Sequence, residues 1–244
     1  MIRGQSPGLT ESSSDRVPAL EASRLTAGYG PMPVIHDVSF RVYGGEVMVL
    51  LGSNGAGKTT TILTLAGELV PLSGEVRMRG AATTGALHLR ARRGLRLVTE
   101  ERSVFMSLTV AANLKLLHND ISECLDLFPE LQPLLKRKAG VLSGGEQQML
   151  SLARALAGSP EIVLIDELSL GLAPLVLERL LLAVRAAADR GVAVVLVEQQ
   201  IRYALSVADR GCVMRRGEIV LEGAAAELRK DPAKIGALYL GGTG

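Results

Sequence analysis

Between residues 34 and 42 apolar and polar side chains alternate. Val34, His36, Val38, Phe40 and Val42 fall on one face of an extended chain, and Ile35, Asp37, Ser39 and Arg41 on the other. A period of two predicts a strand, and residues 20–27 are its candidate hairpin partner. The run from Glu46 to Leu51 is apolar after its first residue, as expected of a strand covered on both faces. The pattern turns helical from Lys58 to Gly67 and strand-like from Glu75 to Arg79, with Pro71, Ser73 and Gly74 making the turn between them. Residues 85–140 are mostly helical in pattern and have the weakest strand signals. They read as a subdomain inserted between two halves of a sheet.

After Ser143, Met149, Leu152, Ala153 and Leu156 recur at helical spacing, the buried stripe of an amphipathic helix ending near Gly158. Ile162 to Ile165 is the next buried strand. Pro174 then opens a helix whose stripe is Leu177, Leu180, Leu181 and Val184, and Gly191 stops it. Val192 to Val197 is again strand-like, Ile201, Ala204, Leu205 and Ala208 mark a helix, and Arg216-Gly217 turns a last hairpin. Strands alternating with helices predict an α/β fold with a mainly parallel sheet, whose ligands gather at the carboxyl ends of its strands.

Composition narrows this picture. A chain of 244 residues with 48% apolar content can bury a sizeable core. A net charge of +2 with interspersed signs argues against a nucleic-acid partner bound by bulk electrostatics, and Arg90, Arg92, Arg93 and Arg96 read as a solvated face. Cys124 and Cys212 stand far apart, and His36, His88 and His118 lack metal-ligand spacing, so reduced thiols and no structural zinc are expected. The polar, Ser-rich start lacks the apolar stretch of a secretory signal. Residues 1–19 therefore read as a disordered tail, and a cytoplasmic location is expected. No apolar run approaches the roughly 18 to 20 residues that span a bilayer.

Candidate chemistry begins directly after the strand ending at Leu51. Gly52-Ser53-Asn54-Gly55-Ala56-Gly57-Lys58-Thr59 fits G-x-x-x-x-G-K-[ST] and opens a helix. Glycines let backbone N–H groups converge on phosphate oxygens, the helix start adds positive potential, Lys58 supplies a point charge and Thr59 a hydroxyl for Mg²⁺. The alternative is a Gly-rich turn between strand and helix. A second candidate is Asp166-Glu167, two carboxylates ending a buried strand, where adjacent side chains diverge and can take different roles. Asp166 would hold Mg²⁺, often through water, and Glu167 would orient or deprotonate an attacking water. The alternative is a polar strand end capping the following turn.

Leu142-Ser143-Gly144-Gly145-Glu146-Gln147-Gln148 lies before the long amphipathic helix, with Ser143 as N-cap and Glu146 at the capping-box position. With a phosphate loop upstream and an acidic pair downstream, this run resembles the signature of ATP-binding cassette (ABC) ATPases, over nearly the whole chain after residue 20. The resemblance implies a P-loop NTPase domain over 20–244, with a mainly parallel core sheet, an antiparallel β subdomain and a helical subdomain at about 101–158. It implies ATP and Mg²⁺ as ligands, held by residues 52–59 and Thr60, with Thr59, Asp166 and Glu100 on the metal side. It also implies a head-to-tail dimer, in which Ser143, Gly144 and Gly145 of one subunit close on the γ-phosphate held by the other. Tyr29, in Ala27-Gly28-Tyr29-Gly30, matches the aromatic on which adenine stacks.

Three departures from the family pattern are visible. Glu100 stands where a glutamine usually links the core to the helical subdomain, Leu168 follows the acidic pair where proline is frequent, and Gln199 occupies the place of a histidine that contacts the γ-phosphate. A glutamine there implies an amide contact with phosphate that does not titrate near neutrality. Together with Ser169-Leu170-Gly171-Leu172-Ala173-Pro174 and Tyr239-Leu240-Gly241-Gly242, these features are similar to the smaller ATPase subunit of bacterial branched-chain amino-acid importers. Urea and short-amide importers share them. The resemblance implies two transmembrane permease subunits, a second ATPase subunit, an extracytoplasmic substrate-binding protein and a place on the inner face of the membrane. A soluble ABC ATPase acting on nucleic acid is the rival, and it would need coiled-coil insertions, two cassettes in one chain or a strong basic patch.

Overall fold

The computed structural model describes residues 16–101, 103–117 and 120–240. Most of the expected tail (1–15), His118 and Gly241-Gly242 lie outside the described residues. The chain enters through β1 (Leu20–Tyr29) and β2 (Met32–Val42), then β3 (Val47–Leu51) and α1 (Lys58–Ala66). β4 (Ser73–Met78), β5 (Ala81–Ala82), α2 (Leu87–Arg92) and β6 (Leu95–Val98) follow, then α3 (Val110–Lys115), α4 (Ser122–Leu127) and α5 (Gly144–Leu156). The last part runs β7 (Ile162–Asp166), α6 (Pro174–Asp189), β8 (Ala193–Glu198), α7 (Ile201–Val207), β9 (Arg210–Arg215), β10 (Glu218–Ala224), α8 (Ala225–Leu228) and α9 (Pro232–Leu240).

Two sheets form. One is antiparallel, in the order β2-β1-β4-β5; the other has the order β10-β9-β3-β8-β7-β6 and is parallel except for its β10 edge. The second sheet is covered on both faces, as the continuous apolar runs require. Along β3, Val47, Val49 and Leu51 join the core beneath α5 and α6, while Met48 and Leu50 face a second core shared with α1 and the antiparallel sheet. β7 and β8 alternate likewise, so each strand is a partition between two cores.

The structure corrects several sequence expectations. β2 does not alternate through its whole length, because Asp37 takes a left-handed φ of 50° and the register with β1 slips between the Leu25–Val38 and Ala27–Ile35 pairs. The extra residue shifts the phase, so Ile35 is buried with Val38, Phe40 and Val42 while His36 is exposed. Nor is 85–140 wholly an insertion. β6 lies within it and forms the edge of the parallel sheet beside β7, a strand too short and too arginine-broken to stand out by periodicity. The segment from 99 to 143 is helical only in short pieces, with α3 and α4 six residues each and 3₁₀ turns at Pro129–Leu134 and Ala139–Val141.

Arg90 is not part of a solvated face. Its side chain is 2% exposed and its guanidinium donates to the carbonyls of Thr64, Leu65, Thr83 and Gly85. It thereby satisfies the open carbonyl end of α1, where unpaired acceptors would otherwise be buried. At the start of the described chain, Arg16 donates to the Gly44 carbonyl at 2.9 Å and lies over the Tyr43 ring.

Candidate functional site

The carboxyl ends of β3, β7 and β8 are neighbours, because these strands are adjacent and parallel. The chain after β3 turns through residues 52–57 into α1, and each sharp point in that turn has a physical cause. Gly57 caps α1 with φ of 103°, and a Cβ there would meet Ile35 Cγ2 at 2.7 Å, so only glycine fits. Gly55, at φ of 77°, instead borders open space. From below, the loop is tied to the β9–β10 turn, since Gly217 N–H donates to the Ala56 carbonyl at 2.9 Å.

Lys58 arches back over this loop. Its Nζ donates to the carbonyls of Gly52 at 2.9 Å and Ser53 at 3.1 Å, and stands 3.8 Å from Glu167 Oε1. Burial lowers the lysine pKa, while the charges of Glu167, Asp166 and Glu198 act in the opposite sense and favour the ammonium. Residues 54–60, Glu100, Glu167, Leu170, Gln199 and Val34 line one cavity of about 360 Å³ around these groups. The sequence-derived phosphate loop, the base candidate and the residue in the histidine place therefore converge, as does Glu100.

Glu167 itself sits in the left-handed region, φ 48°, immediately past β7. That turn explains how adjacent Asp166 and Glu167 point apart. Asp166 stays buried at the strand end, whereas Glu167 swings over Lys58 and accepts a 2.6 Å hydrogen bond from Gln199 Nε2. Its own N–H is held by the Val197 carbonyl at 3.1 Å. Leu168 does not leave the following segment loose. Its side chain is buried in the core, and Ser169 binds Glu198 through both its N–H and its hydroxyl. Glu198 is the carboxylate that ends the apolar run of β8, and nothing in its local sequence marks the partner 29 residues away.

Other expected residues stand apart. Tyr29, at the end of β1, is 55% exposed and does not line the cavity. Ser143, Gly144 and Gly145 also lie outside its lining, at the start of α5. There Ser143 Oγ accepts from Glu146 N–H and Glu146 Oε2 from Ser143 N–H, closing the expected capping box. A Cβ on Gly145 would meet Val176 at 2.9 Å, so the starts of α5 and α6 pack closely. A larger groove, about 760 Å³, lies at the amino ends of the strands beside Gly44, Glu161 and Val192. It is the wrong end for a strand-edge ligand site, and its Arg79 is already paired with Glu161.

Among the described residues no group of three or more His, Cys, Asp or Glu side chains forms a metal cage. A less demanding cation fits better. Asp166 Oδ1 is buried without a hydrogen-bond partner. Burial pushes the Asp166 carboxyl up to about 6; a hydrogen bond from Thr59 and the charge of Lys58 oppose the shift, and the charges of Glu167 and Glu100 add to it. One carboxylate and one hydroxyl, with water and phosphate oxygens completing the shell, suit Mg²⁺ rather than a transition metal.

Residues 35–169 match the family described as ABC transporter. Over 233 residues the chain is 38% identical to the high-affinity branched-chain amino acid transport ATP-binding protein BraG of Pseudomonas aeruginosa, spanning 91% of this chain and 100% of that one. It is 32% identical to the probable branched-chain amino acid transport ATP-binding protein LivF of Archaeoglobus fulgidus, over 86% and 93%. The lipopolysaccharide export system ATP-binding protein LptB of Escherichia coli K12 is 31% identical, over 91% and 97%. A solved ATP-binding subunit of an ABC transporter superposes with a TM-score of 0.75 at 27% identity, covering 90% of this chain and 95% of that one. The ADP conformation of another ATP-binding cassette gives a TM-score of 0.81 over 92% and 99%, at 23% identity, a likeness of fold alone.

Proposed function

The chain belongs to the ABC transporter family, as one of its ATPases, and on that premise we propose that it powers a branched-chain amino-acid importer. Within the cavity, Lys58 and the loop N–H groups of residues 52–60 bind the ATP phosphates, and Glu167 accepts a proton from the attacking water. Gln199 fixes the rotamer of that base. The observation that carries this reading is the placement of Glu167 between Lys58, at 3.8 Å, and Gln199, at 2.6 Å, at the mouth of the phosphate loop.

Thr59 and Asp166 would hold Mg²⁺, with Glu100 acting through water. When bound, the ion neutralises phosphate charge. Ser143, Gly144 and Gly145 lie away from the cavity of their own chain, which supports a head-to-tail dimer in which they complete the site of a second ATPase subunit. Tyr29, exposed at the end of β1, is free to receive adenine. Translocation falls to separate permease subunits, against whose inner face this chain sits; among the described residues no helix is long and apolar enough to cross a membrane. An extracytoplasmic binding protein selects the solute.

The test is an ATPase assay of the purified chain, alone and together with the permeases, the second ATPase subunit and the binding protein of its system, followed by uptake of labelled leucine, isoleucine and valine. Absence of hydrolysis in both settings overturns the ATPase reading. Hydrolysis without uptake of these amino acids overturns the substrate. A second reading, export, is favoured by the 31% identity to the lipopolysaccharide export system ATP-binding protein LptB, and it predicts hydrolysis without uptake of these amino acids.

A further inference from the structure

Glu198 is fully buried, 0% exposed, and the reading above gives it no part. Alternation along β8 places it on the face of Val194 and Leu196, where α6 packs, and away from the face of Val195 and Val197. It accepts three hydrogen bonds there. Oε1 takes the Ser169 N–H at 3.0 Å, and Oε2 takes the Ser169 hydroxyl at 2.7 Å and the Gln199 N–H at 3.2 Å. Burial raises the pKa of this carboxyl and the three bonds oppose the rise.

These bonds close a ring. Glu167 N–H is held by Val197, Ser169 by Glu198, the Gln199 backbone by Glu198, and the Gln199 side chain returns to Glu167. The ring spans the ends of β7 and β8 and encloses the left-handed backbone at Glu167. Such a conformation persists only where its surroundings over-determine it. With leucine in place of proline at 168 no ring fixes the backbone there; the turn is held by the Val197 carbonyl at Glu167, by the buried Leu168 side chain and, at Ser169, by the Glu198 carboxylate.

We infer that Glu198 is a positioning residue of the hydrolytic site. It ties the segment after β7 to the strand end that carries Gln199, so that Glu167 is held at its working place over Lys58. Movement of residues 169–173 is thereby passed to the base through one carboxylate. This inference rests on the reading of Glu167 as the base.

The experiment uses the full-length chain and measures kcat, KM for ATP, ATP affinity and melting temperature for Glu198→Ala, Glu198→Gln, Ser169→Ala and Glu167→Gln. Glu198→Ala is expected to lower kcat about tenfold or more, as small misplacements of reacting groups do, with KM and ATP affinity unchanged. Glu198→Gln restores part of the rate, because its amide oxygen accepts the Ser169 N–H and the Ser169 hydroxyl turns to accept from its NH₂, while the Gln199 N–H loses its acceptor. Ser169→Ala, which removes one bond without emptying the site, lowers kcat in the same direction and decides the matter should Glu198→Ala fail to fold. A Glu198→Ala or Ser169→Ala kcat within about twofold of wild type, below the cost of such a misplacement, overturns the inference. So does a parallel loss of ATP binding. Glu167→Gln separates the two levels: if it hydrolyses ATP at the wild-type rate the site reading itself fails, and if it is slow while Glu198→Ala is fast only the role of Glu198 fails.

Discussion

The side-chain amide of Gln199 donates a 2.6 Å hydrogen bond to Oε1 of Glu167, across the gap between two adjacent parallel strands. The residue in the histidine place therefore engages the base candidate directly. An amide can do this at any pH near neutrality, since it neither gains nor loses a proton there.

Gln199→His should make that contact titratable. A carboxylate neighbour raises an imidazole above its ordinary pKa of about 6.5. Below the raised value the imidazolium pairs with Glu167 and makes it a weaker base, so turnover of the variant should fall as pH drops through it. Wild type should lack this imidazole contribution, and any acid limb it shows belongs to the carboxylates, Asp166 among them. Profiles of kcat from mildly acid to alkaline pH, run in parallel, check the point, and superimposable curves would show that Gln199 does not govern Glu167.

Glu167→Gln should keep ATP binding and slow hydrolysis by roughly 10²- to 10⁴-fold, the usual worth of a positioned base. Single-turnover rates with bound ATP provide the measurement. Unchanged hydrolysis would remove Glu167 from the chemistry.

Lys58→Ala should weaken ATP binding by roughly ten- to a hundredfold, in line with charge-assisted hydrogen bonds of about 1.5–3 kcal/mol. It also leaves the Gly52 and Ser53 carbonyls without their donor. Calorimetric titration with ATP gives the affinity, and wild-type binding would refute the loop assignment.

Gly57→Ala should destabilise the fold as well as the site. Its φ of 103° is strained for any L side chain, and the new Cβ would press on Ile35 Cγ2 at 2.7 Å. A loss of about 1–3 kcal/mol is expected from backbone strain alone. Gly55→Ala meets no neighbour within 4 Å and should cost less stability while impairing nucleotide binding. Chemical denaturation of the two variants makes the comparison.

Both cysteines should resist thiol reagents while the chain is folded. Burial pushes Cys124 up to about 11 and Cys212 up to about 12, from the ordinary 9.0. Two or more units reduce the thiolate fraction at neutral pH by about a hundredfold or more, before any steric protection. Labelling in native buffer and in denaturant, read by mass spectrometry, tests this; fast native labelling would show that one core opens readily.

Contiguous features were legible from the order of residues. A loop that wraps a phosphate must be built from neighbouring glycines with a lysine and a hydroxyl at fixed offsets, so residues 52–59 declare themselves. Ser143 and Glu146 form a capping box because a helix turn brings them together whatever surrounds it. The buried runs of β3, β7 and β8 are likewise a local record of a sheet covered on both faces. Other features depend on which segments meet in space. In the sequence Arg90 is one of four neighbouring arginines that read as solvated, whereas in the fold it is packed against the carbonyl end of α1. The phase shift at Asp37 follows from pairing with β1, and β6 is a strand because β7 lies beside it. Glu198 meets Ser169 only because β8 lies next to β7, which brings residues 29 apart into one buried hydrogen-bonded turn. Backbone propensity acts over a few residues, whereas strand order and the partner of a buried charge are settled by long-range packing, and it is there that the base of this site receives its position.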